Sequence, residues 1–569
     1  MHMDYMEKYN TWLSQEGLDD EIKLELLAIG EDRQEIRERF LSDLQFGTGG
    51  LRGILGAGTN RMNIYTVRRA TEGLALYVKE QGGEERGVVI AYDSRHYSPD
   101  FALCAAKVLA GNGIRVYLFT SLRPTPELSF AVRHLGCEAG IVITASHNPA
   151  KYNGYKVYGN DGGQVANEVA DYILHKMQEI DVFDPIPESE ADSPLIQRID
   201  EEVDTPYYEA VLSQRIHKDL STAQDLKIVY TPFHGAGAVP VKEVLRRAGF
   251  KKVYVVPEQE QPDGAFPTVK SPNPEDKEGF ALAIDLANKM GADLIIGTDP
   301  DSDRVGVLAR ENDGTFVALT GNMTGVLLTE YILSQKTGLG LLPENPYVIK
   351  TIVTSEMVRC VTEHYGVELV DVLTGFKYIA DTIKDHEEKG DMNFVFGFEE
   401  SYGYLVGDYA RDKDGVSAAL MVAEMAAWFR TRDMSLCDVM RDLYAKYGIH
   451  KEWTKNIYFE GADGADKIKS LMAALREDVP TSIGVSRVVA YTDIDKGVRR
   501  DLRTGVETAV DLPRSNVLRF ELEDTSWVAF RPSGTEPKFK VYAGVAKGNL
   551  DGKIDAIAES VNRLLGVEA

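Results

Sequence analysis

The chain has 569 residues, with 63 Lys and Arg against 89 Asp and Glu and a net charge of −26; at roughly 100–200 residues per domain it holds about four domains, and its charge repels nucleic acid and anionic membranes. Its 44% hydrophobic and 27% charged residues are ordinary globular usage and exclude a disordered chain. No apolar run reaches the ~20 residues of a membrane span, the N-terminus has no basic-then-apolar leader, and Cys104, Cys137, Cys360 and Cys437 form no CxxC. A cytoplasmic protein without disulfides or a zinc knuckle is therefore expected.

In chain order, residues 1–45 place Ile22, Leu24, Leu26 and Leu27 among charged residues without strand-like alternation, which predicts a helical extension packed on the first domain. A unit of strand, polar loop, amphipathic helix, glycine stop and second strand then recurs from Val88, Lys227 and Tyr347, a domain length apart. This predicts an α/β fold: three similar α/β domains with mixed sheets, over 46–204, 205–317 and 318–450. The last segment, 451–569, has the closely spaced strands NVLRFELED, SWVAFRPSG and KFKVYAGVA before a helix, and reads as an α+β domain. In sheets with helical crossovers, chemistry belongs on loops at the strands' C-terminal ends.

Five motifs carry residues suited to chemistry. FGTGGLRG, Phe46–Gly53, fails as a dinucleotide fingerprint because Arg52 stands where the third glycine should be and no clear strand precedes it; Arg52 reads as an anion ligand. GIVITASHNP, Gly140–Pro149, is a buried strand delivering Ser146 and His147 to its mouth, as a nucleophile or phosphate carrier beside a proton carrier, or as a turn serine capping a helix. In ADLIIGTDPDSDRVGVLA, Asp299, Asp301 and Asp303 alternate along an extended loop and need a cation. Oxygen ligands favour Mg2+, and Arg304 and Arg310 stand where an EF-hand requires Gly and Glu. GFEESYGY, Gly397–Tyr404, offers Glu399 and Ser401 to sugar hydroxyls or forms a structural turn. FRPSGTEPK, Phe530–Lys538, reads as a phosphate cradle of Arg531, Ser533, Gly534, Thr535 and Lys538 or as a hairpin turn, and no P-loop motif occurs in the chain.

Taken in this order, the motifs resemble the α-D-phosphohexomutase superfamily over essentially the whole chain after the helical extension. The length and TPFHGAG, Thr231–Gly237, resemble its long phosphoglucomutase branch, with its bacterial phosphoglucomutases, phosphoglucomutase-2 and phosphopentomutase relatives. The resemblance implies four domains around a central cleft, and an isomerase that interconverts glucose 1-phosphate and glucose 6-phosphate through a phosphoserine and glucose 1,6-bisphosphate. It implies that phosphorylated Ser146 completes the Mg2+ shell of Asp299, Asp301 and Asp303, with Arg52, His147 and Arg304 lining it. It also implies Lys156, in NGYKVYG, as general base, Lys413, in RDKDGV, as a basic residue near the substrate, and Thr374, Gly375, Glu399 and Ser401 as sugar ligands. Arg531, Ser533, Gly534, Thr535 and Lys538 would hold the phosphate that is not reacting. The partners expected are small sugar phosphates, with the protein a monomer or weak homo-oligomer. Phosphomannomutase or phosphopentomutase activity is the alternative within the superfamily; a sugar-phosphate phosphatase or a non-catalytic sensor is the alternative outside it. Phe376, Tyr378, Tyr402 and Tyr404 either narrow the sugar pocket or fill a core.

Overall fold

Asp4 starts helix Tyr5–Ser14 through a capping box with Glu7, and helices Asp20–Ala28 and Arg33–Phe40 follow, capped by Asp19 and Asp32. Helices this short depend on packing. Trp12 supplies it, buried edge-on against Phe40 and Tyr65 at ring separations of 5.8 and 5.5 Å. The computed structural model describes residues 4–47, 49–459, 464–532 and 538–566. The chain forms two compact units: Met1–Leu319 with Ala380–Gly390 and Tyr402–Ser435, and Thr320–Ile379 with Asp391–Ser401 and Leu436–Ala569.

In the first unit, among the described residues, a seven-stranded sheet runs in the order Phe46–Gly47, Gly50–Ile54, Tyr152–Gly159, Ala139–Ile143, Val88–Tyr92, Val116–Phe119, Ile196–Ile199. The strands from Ala139–Ile143 to Ile196–Ile199 are parallel, and Tyr152–Gly159 joins antiparallel. Val88–Tyr92 and Ala139–Ile143 are buried throughout because helices cover both faces, which is why they read as continuous apolar runs. Register sets the site: Lys156 lies opposite Val142, and Arg52 opposite Gly154. The second sheet has five strands, Phe316–Leu319, Val305–Arg310, Leu294–Thr298, Lys227–Thr231 and Lys252–Val255. Its last three are parallel and its first two antiparallel, so it too is mixed.

Three structural details bear on these expectations. FGTGGLRG contains a strand, Gly50–Ile54, which carries Arg52. The boundaries expected at 204 and 317 fall inside helix Glu201–Ser213 and strand Phe316–Leu319; Pro206 sits within that helix, and the polar stretch 311–315 is a hairpin turn. Residues 318–450 do not stay together. Helix Gly415–Arg430 packs on helix Pro240–Arg247 and strand Leu294–Thr298 in the first unit. Its sequence is apolar on nearly every side, as a helix enclosed by neighbours requires.

In the second unit, strand Pro346–Thr351 pairs in parallel with Glu368–Val372 and Asn393–Phe398. The C-terminal sheet is antiparallel and, among the described residues, eight-stranded, with Lys538–Ala546 between His450–Tyr458 and Trp527–Pro532. Helices Gly464–Glu477 and Leu550–Leu565 cover it, placing Met472, Ile557 and Val561 against Phe520, Phe530 and Val541.

Candidate active site

Strand Ala139–Ile143 ends in Thr144-Ala145-Ser146, and Ser146 is only 4% exposed with φ of 53°, a left-handed conformation that a serine adopts at a cost. The turn is held from beneath. Thr144 Oγ1 accepts the Ser146 amide at 2.8 Å and donates to Asp93 at 2.6 Å. Arg95, wholly buried, lies 3.2 Å from Asp93 and donates to the carbonyls of Ser146 at 2.6 Å and of Pro149 and Tyr152 at 3.0 Å, and to that of Asn148. One guanidinium thus gathers the whole serine loop, a geometry suited to its five forked donors. Asp93 and Arg95 were missed in the sequence; the available signal was their place in AYDSRH, directly after the strand Val88–Tyr92.

The acidic loop between strands Leu294–Thr298 and Val305–Arg310 meets this turn. Ser146 Oγ donates to Asp299 Oδ2 at 3.1 Å and lies 3.1 Å from His147 Nδ1. Asp299 Oδ1 accepts the amides of Asp303 and Arg304 at 3.1 and 3.0 Å. Asp301 Oδ2 accepts from Lys156 Nζ at 2.8 Å and from Thr125 Oγ1 at 2.9 Å, and Lys413 Nζ lies 2.8 Å from Asp303 Oδ2. Arg304 Nη1 pairs with Glu275 at 3.0 Å, and Arg52 Nη1 donates to Asn148 Oδ1 at 3.4 Å, beside the serine loop. The first unit therefore brings together Ser146, His147, Lys156, Lys413, Asp299, Asp301, Asp303, Arg304 and Arg52.

The acidic triad fits a divalent cation. All three carboxylates are buried, each offers an oxygen within 4.8 Å of the others, and Asp301 Oδ1 and Asp303 Oδ1 have no hydrogen-bond partner among the described residues. Orphaned buried carboxylate oxygens are costly without a cation. Burial and the charges of Asp303 and Asp301 push the Asp299 carboxyl well up. Asp301, which burial alone would raise, is held down by Lys156. Lys156 in turn, despite burial, is raised by Asp301 and Asp303 and stands as an ammonium. Hard oxygen ligands in this number suit Mg2+.

In the second unit, Thr374 and Gly375 follow strand Glu368–Val372, and Gly375, at φ of 127°, donates its amide to Glu399 Oε1 at 2.9 Å. That φ is open to glycine and strained for other residues. Glu399 is buried at the end of strand Asn393–Phe398, followed by half-buried Ser401. Its neighbour Glu400 accepts from Thr351 Oγ1 at 3.1 Å; burial pushes its carboxyl up while Lys540 and Arg531 oppose the shift. Arg531 lies opposite Lys540 across two strands, and Lys538 packs 5.0 Å over the Tyr458 ring. Ser533, Gly534 and Thr535 lie outside the described residues. Phe376 and Tyr404 are buried core rings, whereas Tyr378 and Tyr402 are half-buried.

Three family models match the chain: phosphoglucomutase/phosphomannomutase α/β/α domain I over residues 43–183, domain II over 205–314 and domain III over 320–447. A curated phosphoglucomutase of Staphylococcus epidermidis (strain ATCC 35984) is 37% identical over 536 residues, covering 93% of this chain and 95% of that protein. A phosphoglucomutase of Staphylococcus aureus (strain MRSA252) is 37% identical over 535 residues, covering 93% and 94%. Among solved structures, a phosphoglucomutase/phosphomannomutase family protein from Burkholderia thailandensis matches with a TM-score of 0.67 at 20% identity, over 91% of this chain and 96% of that one. The open form of parafusin, a phosphoglucomutase from Paramecium, matches with a TM-score of 0.67 at 16% identity, over 92% and 96%. These two likenesses concern the fold. Among the described residues no helix is long and apolar enough to cross a membrane.

Proposed function

The chain belongs to the α-D-phosphohexomutase superfamily and is an isomerase of the phosphohexomutase class; from that premise we propose that it interconverts α-D-glucose 1-phosphate and glucose 6-phosphate through a phosphorylated Ser146 and a glucose 1,6-bisphosphate intermediate. The observation that carries the reading is the meeting of Ser146 Oγ with Asp299 at 3.1 Å, beside the buried triad and two lysines. A binding protein has no need of a strained buried serine against three carboxylates. The curated relatives named phosphoglucomutase support glucose as the sugar.

Phosphoryl transfer requires positioning, charge neutralisation and movement of one proton. In the forward half-reaction a sugar hydroxyl oxygen bonds to phosphorus as the phosphorus–Ser146 Oγ bond breaks; the hydroxyl gives up its proton and the leaving Ser146 Oγ takes one up. Lys156 is the proposed acceptor; bonded to Asp301 as an ammonium, it must first release a proton. The bisphosphate then reorients. Its other phosphate passes to Ser146 Oγ, which gives up its proton, as the bond from phosphorus to the sugar oxygen breaks and that oxygen takes a proton. Asp299, Asp301 and Asp303, with the phosphoserine, would hold Mg2+, which when bound neutralises charge on the transferring group. Arg52, His147 and Arg304 are proposed to line the phosphoserine, and Lys413 to face the substrate. Thr374, Gly375, Glu399 and Ser401 are proposed to hold sugar hydroxyls, and Arg531 and Lys538, with Ser533, Gly534 and Thr535, the second phosphate. A cytoplasmic setting belongs to the same proposal: the four cysteines are scattered along the chain without a CxxC, and burial pushes the Cys104 and Cys137 thiols up to about 12, where they are inert.

The test is to supply glucose 1-phosphate, Mg2+ and a trace of glucose 1,6-bisphosphate and to record glucose 6-phosphate and free phosphate together. Glucose 6-phosphate with almost no free phosphate supports the proposal. Release of free phosphate, or faster turnover of mannose or ribose phosphates, overturns it in favour of a phosphatase or another mutase.

A further inference from the structure

Helix Thr125–Leu135 begins without a side-chain cap, between Pro124 and Pro126, and its first residue is completely buried. A helix start must place its free amides somewhere. Here the Thr125 amide donates to the Asp301 carbonyl at 2.9 Å, and the Thr125 hydroxyl donates to Asp301 Oδ2 at 2.9 Å. The second donor to that oxygen is Lys156, at 2.8 Å. With Oδ2 taken by two donors, the other oxygen, Oδ1, lies buried in the triad without a hydrogen-bond partner among the described residues.

We infer that Thr125 is a positioning residue for cation binding: its amide holds the Asp301 backbone and its hydroxyl fixes the rotation of the Asp301 carboxylate, so that Oδ1 is presented to the ion. The physical argument is preorganisation. A carboxylate free to rotate must be ordered when the ion arrives, whereas one clamped through its far oxygen is already in place. Lys156 alone cannot do this, because its flexible ammonium also reaches Asp303 at 3.5 Å. Thr125 is short, wholly buried and anchored by its own backbone amide, so its hydroxyl has one place to point. The two prolines flanking it fix where the helix begins.

The inference rests on reading the triad as the metal site, and the experiment separates the two. Mn2+ is titrated into the unphosphorylated full-length protein without substrate, with free ion measured by electron paramagnetic resonance, for wild type, Thr125→Val, Thr125→Ala and Thr125→Ser. Thr125→Val keeps shape and amide but removes the hydroxyl. It is expected to weaken Mn2+ binding roughly ten- to hundredfold, with Thr125→Ser close to wild type. Should the valine variant fail to fold, Thr125→Ala, which adds no bulk, carries the same expectation. Wild-type affinity in the folded variants that lack the hydroxyl, or a loss in Thr125→Ser equal to theirs, overturns the inference and leaves the metal site standing. Failure of the wild type itself to bind Mn2+ overturns the metal site and the inference with it.

Discussion

Replacing Arg95 by Met tests what holds the serine loop in place. The substitution keeps the side chain's length and apolar stem but removes every donor, together with the guanidinium that lies 5.0 Å over the Phe266 ring. The carbonyls of Ser146, Asn148, Pro149 and Tyr152 lose their shared partner, and Asp93, completely buried, loses its counter-charge. Burial already pushes the Asp93 carboxyl up against the pull of Arg95, so without Arg95 it is driven further toward its neutral form. Breaking a buried pair from one side costs about 3–5 kcal/mol, and at 1.36 kcal/mol per decade even the lower figure is roughly a hundredfold rise in local opening. In a chain of this many domains a single global unfolding free energy is ill-defined. Native-state hydrogen exchange of the amides in residues 146–152 is the suitable assay, because it reads the opening of that loop. Exchange there is expected to quicken about a hundredfold or more in Arg95→Met. The double variant Asp93→Asn/Arg95→Met should recover part of the loss, since it leaves no uncompensated charge. Unchanged exchange in residues 146–152 in Arg95→Met would refute the reasoning, as would a double variant worse than the sum of its singles.

Gly325 faces the Phe398 ring so closely that an added Cβ would overlap it, and Phe398 directly precedes Glu399. Gly325→Ala is expected to destabilise the second unit by about 1–3 kcal/mol and to raise KM for the sugar phosphate, both relieved by adding Phe398→Leu, as thermal melts and steady-state kinetics would show. Glu356 is raised by burial, but Lys350, Arg519 and Arg359 hold it down to about 2. A carboxyl depressed on folding stabilises above its unfolded pKa near 4.5 and loses that contribution as pH falls toward 2; the contribution is on the order of 3 kcal/mol. Between pH 5 and pH 3 the thermal midpoint of wild type should therefore fall further than that of Glu356→Gln, and parallel falls would contradict the assignment.

What could be read in the sequence follows from where the information lies. Ser146 and the triad were legible because each sits directly after a wholly buried strand, where apolar runs and polar residues adjoin in the chain. The strand-and-helix units from Val88, Lys227 and Tyr347 were legible for the same reason. Arg95 was not, because the backbone carbonyls it gathers lie more than fifty residues away, and carbonyls leave no mark on sequence. Thr125 was hidden likewise, its partner lying in another sheet's loop. The strand His450–Tyr458 escaped notice because only Ile457 in it is buried; a half-exposed strand at the sheet's edge shows little apolar alternation. Helix Gly415–Arg430 is apolar on nearly every side, but nothing in its composition says which sheet buries it.

The central claim is that Ser146 carries the phosphoryl group, and the most direct measurement is to mark it. Dephosphorylated protein is incubated with Mg2+ and glucose 1,6-bisphosphate labelled in its phosphates, and the label is located by peptide mass spectrometry. The account predicts label on Ser146, removed by unlabelled glucose monophosphate into sugar bisphosphate with negligible free phosphate, and neither labelling nor isomerisation in a normally folded Ser146→Ala. Label on an aspartate, or isomerisation retained by Ser146→Ala, would contradict it.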